Sequence, residues 1–356
     1  AHRLRELLRR RAAPVPEGPW GAVAERQEDE PVLFHMPLRR VLLSGLFNFS
    51  LVFFAVLFGA LEYVEALFGF DPLKLHWVEP ARALAAQATW GLTLLGILFV
   101  LALGVVAGVL RTLAQDFGFR LTRTAAGLRR RRGLFTLSEA VIPLRRIQAS
   151  VIRSGPVARL FGWHRLEFQT LSADAMKSGN QVAVPFGRME EVLPVLRQAH
   201  PHPLPPDEDY VRVSKRHILR QAIFWTGILA LPIAGFSIAF PLAAFLLLLL
   251  PFAVGGAALQ WRHHCYCLTE EALHVREGLL APRLTVIPYE RIQTVALDQG
   301  PPQRRRGLAS LTPDTAGASL LGSGHITNLP AEAADALSSE LIARHKAARA
   351  KARGLS

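Results

Sequence analysis

Residues 133–148 read GLFTLSEAVIPLRRIQ, and residues 278–293 read GLLAPRLTVIPYERIQ. A leading glycine, a Val-Ile-Pro step and an Arg-Ile-Gln ending recur at one fixed offset. The offset holds onward without a gap through Gly155-Pro156 and Gly300-Pro301, Arg159 and Arg304, Gly162 and Gly307, Leu166 and Leu311, Thr170 and Thr315, Gly179 and Gly324, and Pro185 and Pro330. Upstream, Phe119-Arg-Leu-Thr122 matches Tyr266-Cys-Leu-Thr269 once two residues are allowed for in the hairpin between. The chain therefore carries a duplicated domain, and a repeat sets the architecture before any single element is read.

Within a repeat the local signals are those of strands. Segments at 119–122, 127–131, 140–144, 149–153 and 166–170 are short, several alternate in polarity, and Gly or Pro breaks them at near-regular spacing, as in a small antiparallel sheet or barrel. A helix is expected to close each unit. Met189, Val192, Leu193 and Leu196 form an i, i+3, i+4, i+7 stripe in the first, and Leu337 and Leu341 give the second its apolar edge, with Pro185 and Pro330 just ahead.

A length of 356 residues suits two or three domains. Net charge +13 together with a positive mean hydropathy is an unusual pairing, and the charge is segregated. Residues 41–61, 89–110 and 222–259 contain no charged side chain. About 20 apolar residues cross a bilayer, so the first two runs predict one span each and the third predicts two. Core helices of a soluble protein would carry a polar face or stop sooner. Pro232, Pro241 and Pro251 are tolerable in lipid, where neighbouring helices re-satisfy the freed backbone groups.

Arg39, Arg40, Arg111, Arg120, Lys215, Arg216, Arg220 and Arg262 flank these runs on the side of the repeats, which places both repeats in the cytoplasm by the positive-inside rule. Two cysteines, Cys265 and Cys267, exclude a disulfide framework. No signal peptide is evident, since the first apolar run follows a basic, proline-bearing segment. Residues 1–13 set Leu4, Leu7 and Leu8 on one helical face ahead of Pro14, Pro16 and Pro19, as residues 189–206 do after the first repeat. We expect them to be the closing helix of a lost upstream repeat.

The expected domains are then 1–40, that closing helix and a linker; 41–111, a first transmembrane hairpin; 115–200, a first barrel; 201–217, a proline-rich linker; 218–261, a second hairpin; 263–346, a second barrel; and 347–356, a basic tail. The expected fold class is a membrane protein of mixed α and β structure, two transmembrane helical hairpins alternating with two cytosolic β-barrels, each closed by a C-terminal helix.

Catalytic signatures are missing: there is no phosphate-binding loop, zinc-protease helix, nucleophile elbow or kinase set. Gly322-Ser-Gly324 is a lone glycine pair and reads as a turn. His263-His264-Cys265-Tyr266-Cys267 holds good zinc ligands, but a strand here would turn both cysteines to one face and leave four ligands unable to converge. Glu62 and Glu65 read as an interfacial loop, and Asn48 as a packing amide inside a span. Arg129, Arg130, Arg131 and Arg132 are the sharpest candidate site. Beside the cytoplasmic leaflet each contributes about 1 kcal/mol toward anionic headgroups; the bland reading is a solvated flank that sets topology. Repeat two has Arg276-Glu277 at the matching place, and Arg304, Arg305 and Arg306 form a second basic cluster. Nucleic acid is not expected, because no aromatic stacking platform lies among these arginines. No cofactor or metal is expected.

Ile142-Pro143, Ile147-Gln148, Gly155-Pro156, Arg159 and Gly162, repeated as Ile287-Pro288, Ile292-Gln293, Gly300-Pro301, Arg304 and Gly307, resemble the bacterial pleckstrin-homology (PH)-like domain. The arrangement of the whole chain is similar to YdbT-like membrane proteins. The resemblance implies a seven-stranded, partly open barrel capped by a helix, and it brings no catalytic residues. The function expected from it is a non-enzymatic scaffold at the inner leaflet of the bacterial plasma membrane, binding anionic phospholipid headgroups or a membrane or cytosolic protein partner. The alternative is a membrane module for export of, or protection against, membrane-active compounds, with the PH-like domains regulatory. Against it, no ionisable residue lies inside the expected spans.

Overall fold

Strand β1 (Val32–His35) precedes a helical excursion, α1 (Leu38–Phe47) and α2 (Trp90–Asp116), and pairs antiparallel with β2 (Arg120–Thr124), the strand that follows it. This computed structural model describes residues 30–47, 90–170, 180–239, 247–248, 250–316 and 324–354. The chain thus leaves the sheet and returns beside its exit, where the Met36 amide donates to the Phe119 carbonyl at 3.0 Å. Strands β3 (Gly127–Arg132) and β4 (Ser138–Ile142) extend the sheet in the order β1-β2-β3-β4. The turn after β3 needs glycine. Gly133 has φ of 121°, and a Cβ there would lie 2.1 Å from the Thr136 carbonyl oxygen. Gly278, its repeat, is held in the same way, which is why glycine heads both repeated stretches.

Pro143 and a single 3-10 turn, Leu144–Arg146, break the chain away from that sheet. A second sheet follows, β5 (Ile147–Arg153), β6 (Trp163–Thr170) and β7 (Asn180–Arg188), with the short α3 (Pro156–Leu160) between β5 and β6. Helix α4 (Met189–Ala199) then lays Val192, Val195 and Leu196 into a core with Phe119, Leu121, Leu128, Ile142, Leu166 and Phe168. Each such side chain contributes about 1.5–3 kcal/mol by leaving water. Arg40 of α1 donates to both Glu191 carboxylate oxygens, at 2.8 and 3.0 Å, and ties the helical excursion to α4.

The second unit repeats the plan. Its elements are β8 (Val211–Arg212), α5 (Arg216–Ala239), α6 (Leu250–His263), β9 (Cys265–Leu268), β10 (Ala272–Glu277), β11 (Arg283–Pro288), β12 (Ile292–Asp298), α7 (Pro301–Arg304), β13 (Leu308–Thr315), β14 (Ile326–Pro330) and α8 (Ala331–Gly354). Leu273, Val275, Ile287, Tyr289, Leu311, Ile326, Leu337 and Leu341 fill its core. Each unit is therefore four strands facing three, with a helix at the end.

The units are joined edge to edge. Strand β11 pairs antiparallel with β5 through Arg283↔Arg153, Leu284↔Ile152, Thr285↔Val151 and Val286↔Ser150. One seven-stranded sheet results, in the order β7-β6-β5-β11-β10-β9-β8. Two arginines face each other at its end, where Glu277 and Glu167 stand 3.5 Å from Arg283 and 3.7 Å from Arg153.

The expected fold class is corrected on two counts. Among the described residues closed barrels are not formed: the sheets are open, and the seven-stranded one is shared between the repeats rather than curled within one. Nor do the described residues form two transmembrane hairpins. Helix α1 packs on α2 and α5 on α6, but a single described stretch, Arg216–Gly235, is long and apolar enough to cross a membrane. The expected spans at 41–61, 88–110 and 238–260 lie partly outside the described residues, and the helix expected at 1–13 lies wholly outside them.

Candidate functional site

Strand geometry divides the arginine run. Successive side chains on β3 point to opposite faces, so Arg130 and Arg132 turn inward and Arg129 and Arg131 outward. Arg130 is 6% exposed and donates to the Val182 carbonyl at 3.1 Å, tying β3 to β7. Burial, with Arg132 nearby, pushes its pKa down to about 10. Arg132 bonds the Asp116 carboxylate at 2.9 Å at the end of α2. On the other face Arg129 is neutralised by Glu139 at 2.6 Å and Glu30 at 3.3 Å. Arg131 alone is exposed. It sits across from Arg120 on β2, and among the described residues neither has an ion-pair partner. The two line a recess of about 60 Å³ with Glu30, Thr122, Arg129 and Glu139.

Apolar side chains surround the same edge. The turn after β3 rests on the last turn of α2, with the Gly133 amide donating to the Phe117 carbonyl at 2.9 Å and Leu134 to Ala114 at 3.2 Å. Its tip carries Phe135, 87% exposed, with Leu134, Leu137 and Phe117 also open to solvent. The rim continues onto α3, where Leu160 and Phe161 are exposed and Phe161 meets Phe47 of α1 at 5.6 Å. It passes to the matching tip of unit two, where the Arg159 guanidinium donates to the Leu279 carbonyl at 3.0 Å and Leu280 is exposed. Exposed Arg39 and Arg111 lie at the near ends of α1 and α2. Large apolar groups at hairpin tips were the signal in sequence, since turns are ordinarily polar.

The repeat of Arg131 is not free. Arg276 bonds Asp207 at 2.6 Å and stacks 3.9 Å from the Tyr210 ring centroid. The basic rim thus belongs to unit one. In the second basic cluster Arg304 bonds its own Gln299 carbonyl at 3.2 Å, and the Arg306 carbonyl accepts from Arg216. Gly324 has φ of 69°, as a turn requires, while residues 322–323, Asn48, Glu62 and Glu65 lie outside the described residues.

A cleft of about 490 Å³ lies between the repeats, lined among others by His200, His202, Glu271, His274 and Arg344. His202 contacts Glu271. His200 bonds the Ser150 hydroxyl at 2.7 Å, and burial pushes both His200 and His274 down to about 4, so both are neutral at pH 7. Ser150 is fully buried, paired with Val286 of β11. Cys265 and Cys267 are buried on one face of β9 and Tyr266 lies on the other, as the strand reading required. Burial raises both thiols above their usual range. His264 turns away to accept from the Thr327 amide at 3.3 Å, and among the described residues no three His, Cys, Asp or Glu converge as metal ligands.

Four strands facing three, a terminal helix, and the whole made twice define a duplicated PH-like module. The family model described as the Bacterial PH domain matches residues 46–201 and 226–345, and the chain belongs to the bacterial PH domain family. No curated protein and no solved structure matches it. PH-like domains serve binding and scaffolding, in keeping with a site built of a charged, apolar rim.

Proposed function

We propose that this chain is a non-catalytic scaffold on the inner leaflet of the bacterial plasma membrane, with the rim of unit one against anionic phospholipid headgroups. The observation that carries the reading is Phe135, 87% exposed on a turn beside Arg131 and Arg120, which have no ion-pair partner among the described residues. An aromatic wedge among guanidinium groups suits the boundary between headgroup and acyl chain, where each cation contributes about 1 kcal/mol. Arg39 and Arg111 extend the same field. The likeness to YdbT-like membrane proteins supports the location. Joining of the units through one continuous sheet suits holding a partner protein at the surface.

The test is a nitroxide on Phe135→Cys in the full chain, mixed with phosphatidylglycerol or phosphatidylcholine vesicles. The label should gain oxygen collisions and lose collisions with a water-soluble nickel chelate on the anionic vesicles alone, and Arg131→Ala with Arg120→Ala should reverse this. A label equally exposed to water on both lipids would contradict the reading.

A further inference from the structure

The joint between the repeats uses one edge from each unit and leaves the complementary edge of each unpaired. Unit one gives β5, and unit two gives β11, the repeat of β4. What remains is β4 itself and β12, the repeat of β5. Each stands last in its sheet, so no described strand pairs with its outer side.

Exposure follows from this. Strand β5 is buried from Ile147 to Ile152, whereas β12 is exposed from Ala296 to Asp298. Val286 on β11 is 1% exposed, whereas Val141, its repeat on β4, is 46% exposed. Both free edges keep what a joint needs. Residues 138–141 and 295–298 contain no proline or lysine, residues that edge strands use to block pairing. The one irregularity in β12 lies between Ile292 and Thr294, short of that stretch.

We propose that β12 of one molecule pairs with β4 of a second copy of this chain, repeating the joint already made inside each molecule. Transferring the internal register sets Ser138 opposite Asp298, Glu139 opposite Leu297, Ala140 opposite Ala296, and Val141 opposite Val295. Arg304, the repeat of Arg159, then reaches the carbonyl of Leu134 in the neighbour, as Arg159 reaches Leu279 within the chain. The contact is heterologous, so it propagates head to tail into a ring or an open filament.

Two measurements on the full chain in mild detergent test this. A Val141→Cys chain mixed with a Val295→Cys chain should form a mixed disulfide on oxidation, and neither should cross-link well to itself. At Leu297, opposite Glu139, opposite charges should act oppositely. Leu297→Glu should lower the association constant about tenfold or more, whereas Leu297→Lys should hold or raise it. Both replacements are equally polar at an exposed position, so a mere folding defect would move them together. A concentration-independent mass of one chain, or self-cross-linking as efficient as the mixed pair, would overturn the proposal.

Discussion

Ile152 and Leu297 hold the same position in the two repeats, yet Ile152 is 3% exposed and Leu297 is 39% exposed. Leu284 of β11 stands opposite Ile152 across the joint, whereas Leu297 faces Leu311 of β13 on one side and no described strand pairs with its outer side. A carboxylate is therefore expected to act very differently at the two sites. Ile152→Asp should cost roughly 3 kcal/mol or more in a urea titration, through a buried unpaired charge and lost packing, while Leu297→Asp should stay within about 1 kcal/mol. Equal costs would mean that the joint does not cover β5.

The arginine run separates in the same manner. Arg130→Ala removes the guanidinium that satisfies the Val182 carbonyl and should destabilise the fold by about 1–3 kcal/mol. Arg131→Ala should leave stability within about 0.5 kcal/mol and weaken binding to anionic vesicles by about 1 kcal/mol, a fivefold loss. Thermal melting and vesicle titration read the two effects independently.

Acid should loosen the cleft. His200 is held down to about 4 by burial, then by the nearby His274, Arg291 and His202, and His274 is held down to about 4 by burial and then Arg276. Their unfolded values lie near 6.5, so between about 6.5 and 4 the unfolded chain binds protons that the fold refuses. Stability is full above about 6.5 and falls as the pH drops through that window, by at most about 3 kcal/mol per histidine. His200→Gln, which can still bond Ser150, should flatten the fall in urea midpoint between those pH values.

Asn328 is fully buried with φ of 60°, and its side-chain oxygen accepts from Arg220 and Gln303, each at 2.9 Å. It fastens the start of α5 to β14. Asn328→Ala should cost roughly 3 kcal/mol, from two unmet donors and a strained backbone. Asn328→Gly should recover about 1 kcal/mol of that by relieving the backbone alone, a difference that paired thermal melts would resolve.

Much of each repeat was legible because its signals are local. Strands β2 to β6 carry alternation between Gly and Pro breaks, and α4 carries its own apolar stripe. Strands β1, β7 and β8 were missed: β1 and β8, four and two residues long, pair with strands that lie a helical excursion away, and β7 contains Pro185, which reads in sequence as a break ahead of the helix. The joint was equally invisible, since nothing within Gln148-Ala149-Ser150-Val151 says that β11 will pair with it. The four arginines looked like one cluster because charge was counted along the chain; the period of two, applied to the strand already read at 127–131, would have divided them. Charge-free length alone overcounted the spans: among the described residues a single stretch, Arg216–Gly235, is long and apolar enough to cross a membrane.

The most direct test of the joined, duplicated architecture is amide hydrogen exchange of the dilute full chain across β5 and β12. Pairing on both sides should slow every amide from Ser150 to Arg153, while in residues 295–298 the amides that point away from β13 should exchange as fast as those of an exposed loop. Equal protection of the two strands, or fast exchange in β5, would contradict the account.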